Sequence, residues 1–292
     1  MPRRRLHRLL SLSLLTAVAC RPHFEPIKYT SNQALFDASL KELHGEHWDN
    51  AVAGFERLTT TLPARDPLLP ESYFYLGQAH EGKNEFILAA QAYSRLPEAF
   101  PEDTLADDAT YQAGISYSRL WKRPSLDAEY GETALSTFTS FMVAYPDSPL
   151  RDSAQKQINK LNEWFAKKSY DTGKLYQRRK AYDSAIIYYK YVVQQYAQTQ
   201  HAKSALIGLV QSYRAIKYRE EMAETCATLN SKYPGDGDVH SECPAEKQPA
   251  TPIATPAQQA PAPATPAQTP EQRTAAPSQG APPLERAGTT PP

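Results

Sequence analysis

One spacing recurs through the middle of this chain and narrows its possible folds more than any other feature. A small residue is followed twelve positions on by a second small residue, four later by an aromatic, and eight after that by proline. Ser39, Ala51, Phe55 and Pro63 make the first copy; Gly77, Ala89, Tyr93 and Pro101 make the second. Gly114 leads a third, with Ala134, Phe138 and Pro146 after an insertion. Gly173, Ala185 and Tyr189 keep the spacing in a fourth, where Ala197 replaces proline. Val210, Met222, Cys226 and Pro234 hold the positions in a degraded fifth. Apolar residues such as Leu35, Ala38, Ser39 and then Ala51, Phe55, Leu58 fall three and four apart, the period of a helix with one buried face. Small residues let two antiparallel helices approach, the aromatic fills their crossing, and proline ends the second helix because it lacks a backbone N–H. One such pair cannot bury its apolar face alone, so the pairs must stack.

This is the tetratricopeptide pattern, and it predicts an all-α fold: a solenoid of about five helix pairs. The prolines and Ala197 stand 38, 45, 51 and 37 residues apart, each longer than the usual period of about 34. The first excess reads as a loop at Arg65-Asp-Pro-Leu-Leu-Pro70, the second as a long loop between Leu120 and Glu132. The third lies in Leu150 to Ala166, which has a helical pattern and runs without Pro or Gly into the fourth copy. It predicts one long helix linking repeats three and four, extended by roughly 25 Å.

Both ends are of another kind. Arg3, Arg4, Arg5 and Arg8 precede an apolar run from Leu9 to Ala19, too short to span a bilayer. The run ends Leu15-Thr-Ala-Val-Ala-Cys20, which resembles a lipobox, so residues 1–19 read as a lipoprotein signal peptide and Cys20 as the lipidated N-terminus. Arg21 follows, rather than the Asp that retains lipoproteins in the inner membrane, so the expected location is the outer membrane, lipid-anchored on the periplasmic side. Residues 20–31 form a spacer and 32–243 the repeat domain. Residues 244–292 hold 13 prolines and no aromatic, too little apolar area to offset ordering entropy, and read as a disordered Pro/Ala-rich tail. Lys plus Arg equals Asp plus Glu at 32 each, so no global field draws in nucleic acid. Cys226 and Cys243 could oxidise to a disulfide in an exported protein, or leave Cys226 buried and Cys243 free.

The irregular repeats carry a resemblance. The lipobox, Leu35-Phe-Asp-Ala-Ser-Leu, Trp48-Asp-Asn-Ala51, Ala106-Asp-Asp-Ala-Thr-Tyr-Gln-Ala-Gly-Ile-Ser-Tyr117, Tyr145-Pro-Asp-Ser148 and Leu161-Asn-Glu-Trp-Phe-Ala166 through Arg179-Lys-Ala-Tyr182 together resemble the BamD family of outer-membrane assembly lipoproteins. Ser169 stands where that family commonly has an acid, Leu175 where it has Tyr, and the Pro-rich tail is not a family hallmark. The resemblance implies a non-catalytic subunit of the β-barrel assembly machinery. Its implied partners are the barrel subunit BamA, other lipoproteins of the complex, and unfolded outer-membrane protein clients. The alternative is a periplasmic adaptor of the same fold serving cell-wall synthesis or a secretin complex; co-purification from membranes separates the two.

For chemistry the sequence offers little. It has no Gly-rich phosphate loop, no His-Glu-x-x-His and no Gly-x-Ser-x-Gly, so neither an enzyme nor a cofactor is expected. His44 and His47 beside Glu46 read as a solvated turn rather than a metal site, and Cys226 and Cys243 lack the CxxC spacing of a zinc site. Asp107-Asp108 follows Pro101 at a helix start, where carboxylates favour the dipole. Binding is the expected activity. Phe36, Leu40, Phe74, Gln78, Glu81, Tyr111 and Ser118 share one face of the first helices and are candidates to hold an extended peptide. Phe74 and Tyr111 stand out, although aromatics there could equally pack between repeats. Arg178, Arg179 and Lys180, with Tyr182, Tyr188 and Tyr191, form a candidate docking face for an acidic partner surface, or else a solvated turn.

Overall fold

The computed structural model describes residues 24–244; the expected lipidation site Cys20, the expected signal peptide and nearly all of the expected tail lie outside them. A 3-10 turn at Pro26–Lys28 leads into five helix pairs. These are α1 (Asn32–His44) with α2 (Trp48–Thr61), α3 (Leu68–Gly82) with α4 (Phe86–Ala99), and α5 (Ala106–Leu120) with α6 (Glu129–Ala144). Then follow α7 (Arg151–Arg178) with α8 (Tyr182–Gln195), α9 (Gln200–Ile216) with α10 (Arg219–Lys232), and a short closing helix α11 (Gly237–Glu242). Each helix packs on its neighbours in the chain, and each pair on the next, so apolar faces that no pair could cover alone are covered by stacking.

The spacing works as close-approach physics requires. A Cβ placed on Gly77 would lie 2.6 Å from the Tyr93 ring, on Gly114 2.8 Å from Phe138, and on Gly173 2.8 Å from Tyr189. Only glycine lets the aromatic of the second helix lie flat on the first. Phe55, Tyr93, Phe138 and Tyr189 are accordingly all but fully buried. In the first pair Ser39 takes the glycine's place and satisfies its buried hydroxyl by donating to the Leu35 carbonyl at 2.7 Å. Proline stops the second helices one residue after their C-caps: Leu62, Phe100, Tyr145 and Tyr233 each leave the helical region just before it. Tyr196 does the same before Ala197, and its ring stacks on Phe165 at 6.3 Å.

Four of the turns inside pairs share a device that the sequence pattern did not reveal. Glu46, Asn84, Lys180 and Lys217 have φ of 57°, 61°, 60° and 65°, and each falls seven residues after the leading position of its copy. One left-handed residue reverses the chain in so short a connection. The third pair instead has the long loop expected between Leu120 and Glu132, which runs from Trp121 to Ala128. It is anchored by Trp121, which is 1% exposed and packed 4.6 Å from Phe165. The expected loop at Arg65–Pro70 is shorter than read. α3 already begins at Leu68, and Pro70 sits in its first turn, where no N–H is needed. Helix α7 is the predicted long helix, 28 residues, about 42 Å at 1.5 Å per residue.

The fifth pair is closed differently. Cys226 occupies the aromatic position and is joined to Cys243 by a disulfide, with the Cα atoms 5.4 Å apart. Helix α11 brings Val239 and Cys243 into the core that an aromatic would have filled. Of the two readings of these cysteines, the structure has the disulfide.

Candidate functional site

Numbering each copy from seven residues before its leading small residue places the candidate residues at positions five, nine and twelve, on one side of the first helix. Position five is aromatic in four copies, and each ring meets the aromatic at the helix crossing. Phe36 lies 5.8 Å from Phe55, Phe74 5.5 Å from Tyr93, Tyr111 5.6 Å from Phe138, and Tyr170 5.7 Å from Tyr189. These edge-on and tilted contacts make a ladder of aromatic pairs through four repeats. Tyr170 was missed from sequence, although it stands three residues before Gly173 as Phe74 stands before Gly77.

The ladder is not open along its whole length. Phe36 is 4% exposed, wedged between Phe55 and Tyr75, so its expected place in a groove is corrected to the core. The neighbouring Tyr75 from α3 covers it. Leu40, at position nine, packs half-buried against the same cluster. Phe74, Gln78, Tyr111 and Tyr170 are half-buried and present part of their surface.

Position twelve follows the aromatic at the crossing. Where that aromatic is tyrosine, position twelve accepts its hydroxyl: Tyr93 donates to Glu81 at 3.0 Å, and Tyr189 to Gln177 at 2.9 Å. Burial first, and the Glu81 carboxylate second, push the Tyr93 hydroxyl far above the usual tyrosine range, so it stays a donor. Glu81 also accepts from Ser116 at 3.3 Å and Arg119 at 3.0 Å, tying the second pair to the third. The Arg119 guanidinium lies 5.2 Å from the centre of the Phe86 ring. Where the crossing aromatic is Phe138, position twelve is Ser118. Its hydroxyl oxygen is buried and has no hydrogen-bond partner among the described residues. In the first copy Phe55 faces an apolar Leu43. Glu81 is thus a clasp between repeats, with both oxygens engaged.

The second candidate face divides. Arg178, Arg179 and Lys180 are exposed at the end of α7 and the turn after it, and Lys180 is the left-handed residue of that turn. Tyr188 is stacked at 5.5 Å on Tyr176, which stands two residues before Arg178. Tyr191 does not join this group. It packs edge-on to Tyr196 at 5.8 Å, toward the far end of α8, about 14 Å along the helix from Tyr182. The expected cluster is therefore a basic turn with the Tyr176–Tyr188 pair.

The remaining readings find structural partners. His47 pairs with Glu42 at 3.1 Å. Asp107 heads α5 and accepts from Ser148 at 2.6 Å, so the Ala106-Asp-Asp and Tyr145-Pro-Asp-Ser148 segments meet across the third pair. Among the described residues no three His, Cys, Asp or Glu side chains gather as a metal site, and no helix is long and apolar enough to cross a membrane.

A family model described as YfiO, outer membrane lipoprotein, matches residues 28–229. The outer membrane protein assembly factor BamD of Vibrio cholerae is 22% identical over 229 residues, covering 74% of this chain and 93% of that protein. The factor of the same name from Helicobacter pylori is 31% identical over 85 residues, 29% of this chain and 39% of that protein's length. Among solved structures, a kinesin light chain-like protein of Podosopora anserina with tetratricopeptide-like repeats overlays 70% of this chain and 96% of its own. Its TM-score is 0.35 at 13% identity.

Proposed function

The chain belongs to the YfiO family of outer membrane lipoproteins, and from that premise we propose that it binds unfolded barrel precursors and a BamA-like subunit through two separate faces. As a BamD-family assembly factor it is non-catalytic and acts by holding other proteins. The lipid on Cys20 holds it at the outer membrane, two acyl chains and an N-acyl group being ample for a stable anchor. The observation that carries the client reading is the half-open aromatic ladder. Phe74 and Tyr111 offer ring surface to an extended chain bearing aromatic side chains, beside the polar edge of Gln78. The basic turn at Arg178 and Arg179 suits an acidic surface on the barrel subunit, with other lipoproteins of the complex as further partners.

Two titrations on each of two variants test this. Truncating Phe74 or Tyr111 to Ala weakens a peptide that copies a barrel C-terminus by about 1–3 kcal/mol and leaves capture of the barrel subunit intact. Reversing charge at Arg178 and Arg179 does the opposite, in a salt-dependent manner. Circular dichroism confirms the fold of each. If both variants lose both partners, or neither loses either, the two-face reading is wrong.

A further inference from the structure

Two of the places where the chain departs from its repeat meet in space. One is the first half of α7, the extra helix inserted before the fourth copy; the other is the turn from α8 to α9, where Ala197 replaces proline. Between them runs a groove of about 430 Å³, with Asn159, Lys160, Asn162 and Glu163 on the α7 wall and residues 194–199 on the other. Asn162, Gln194, Gln195 and Gln198 bring carboxamides to it, and none makes a side-chain hydrogen bond among the described residues. The acid is already engaged: Glu163 accepts from the Gln200 backbone at 2.8 Å and pairs with His201 at 3.1 Å.

We infer that this groove holds an extended polypeptide by its backbone, without regard to side-chain sequence. A carboxamide carries the same planar donor and acceptor groups as a peptide unit, so it can pair with a passing peptide group on both sides. Several of them lining one groove read backbone and ignore side chains, which is what a binder of many unfolded clients needs. A glycan would also match amides, but its sugar rings are held best on an open aromatic face, and the rings here are taken. Tyr196 is stacked on Phe165 at 6.3 Å and met edge-on by Tyr191 at 5.8 Å. Trp164 abuts Trp121 at 5.4 Å, with the Lys160 ammonium 5.6 Å from its ring centre. The inference rests on the reading that clients arrive unfolded, and adds a site distinct from the aromatic ladder.

The test follows side-chain amide and aromatic ring signals of the full chain by NMR while titrating a capped, uncharged ten-residue peptide of alternating Thr and Val. A scrambled version and a version N-methylated at alternate residues are titrated in parallel. The signals of Asn162, Gln194, Gln195 and Gln198 should move equally with the first two peptides. The N-methylated peptide, which has lost half of its backbone donors, should bind at least about fivefold more weakly, the scale of one lost hydrogen bond. The variant Gln194→Ala, Gln195→Ala, Gln198→Ala changes only exposed side chains and should lose the response, whereas Phe74→Ala should keep it. Equal binding of the N-methylated peptide, or an unaffected triple variant, overturns the inference. So does a chitin tetrasaccharide that moves these signals when the peptide does not. If the peptide perturbs only Phe74 and Tyr111, this groove falls and the client reading of the ladder stands.

Discussion

Gly208→Ala should destabilise the domain although alanine is the better helix former. Tyr189 lies between two glycines: a Cβ on Gly208 would stand 2.6 Å from its ring, and one on Gly173 2.8 Å from the other side. Carbon atoms rest about 3.5–4.0 Å apart, so the new methyl intrudes by roughly 1 Å. The ring cannot retreat toward α7, and its hydroxyl is held by Gln177 at 2.9 Å. Overpacking of this kind costs about 1–3 kcal/mol, and a displaced ring forfeits about 1 kcal/mol of hydrogen bond. Against that, replacing glycine within α9 returns about 1 kcal/mol of helix propensity. The net loss is roughly 1–3 kcal/mol, a fall in Tm of about 3–10 °C for a domain of this size. Thermal melts by circular dichroism measure it, with Gly237→Ala as the control, because nothing lies within 4 Å of a Cβ there. Tyr189→Phe supplies a second check. It should cost about 1 kcal/mol alone and almost nothing in the Gly208→Ala background, where the hydroxyl bond is already lost. A Gly208→Ala melt at or above that of the parent, or strict additivity of the two changes, would refute the reasoning.

Ser118→Ala should raise stability by roughly 0.5–2 kcal/mol, seen as a higher Tm, because it removes a buried hydroxyl without a partner. Replacing Cys226 and Cys243 by Ser, or adding reductant, should cost about 2–4 kcal/mol, since the disulfide closes a loop across a separation of 17 residues. An unchanged denaturation midpoint in reductant would count against it. Acid should release α11 before the rest. The Lys203 ammonium first, and then the backbone N–H groups that Asp236 caps, hold the Asp236 carboxyl below the usual carboxylate range. Burial alone would raise Glu242, but Gln211 and Arg214 together keep it low. Groups depressed in the folded state stabilise it above their unfolded pKa of about 4, and that contribution is lost as pH falls through the lower folded values. Hydrogen exchange at Val239 should therefore accelerate below about pH 4, ahead of exchange at Val210.

The five pairs, their order, the proline stops of four second helices and the extension of α7 were legible in the sequence because each follows from a local rule. A 3.6-residue period marks a buried face, a glycine opposite an aromatic marks a crossing, and a proline marks a stop. The same rules named Phe74 and Tyr111. They could not say that Phe36, at the same position of its own copy, would be buried by Tyr75, because that ring arrives from the next repeat. Nor could they separate Tyr191 from the basic turn, pair Asp107 with Ser148, or bring the Gln-rich turn against α7. The disulfide between Cys226 and Cys243 was one of two open readings until α11 was seen folding back on α10. The division has one physical cause. Periodicity and close approach act within a helix pair, where chain connectivity already sets the geometry. Which half-buried side chains stay open and which are covered depends on the rise and rotation from each pair to the next, and that is settled only when the whole stack packs.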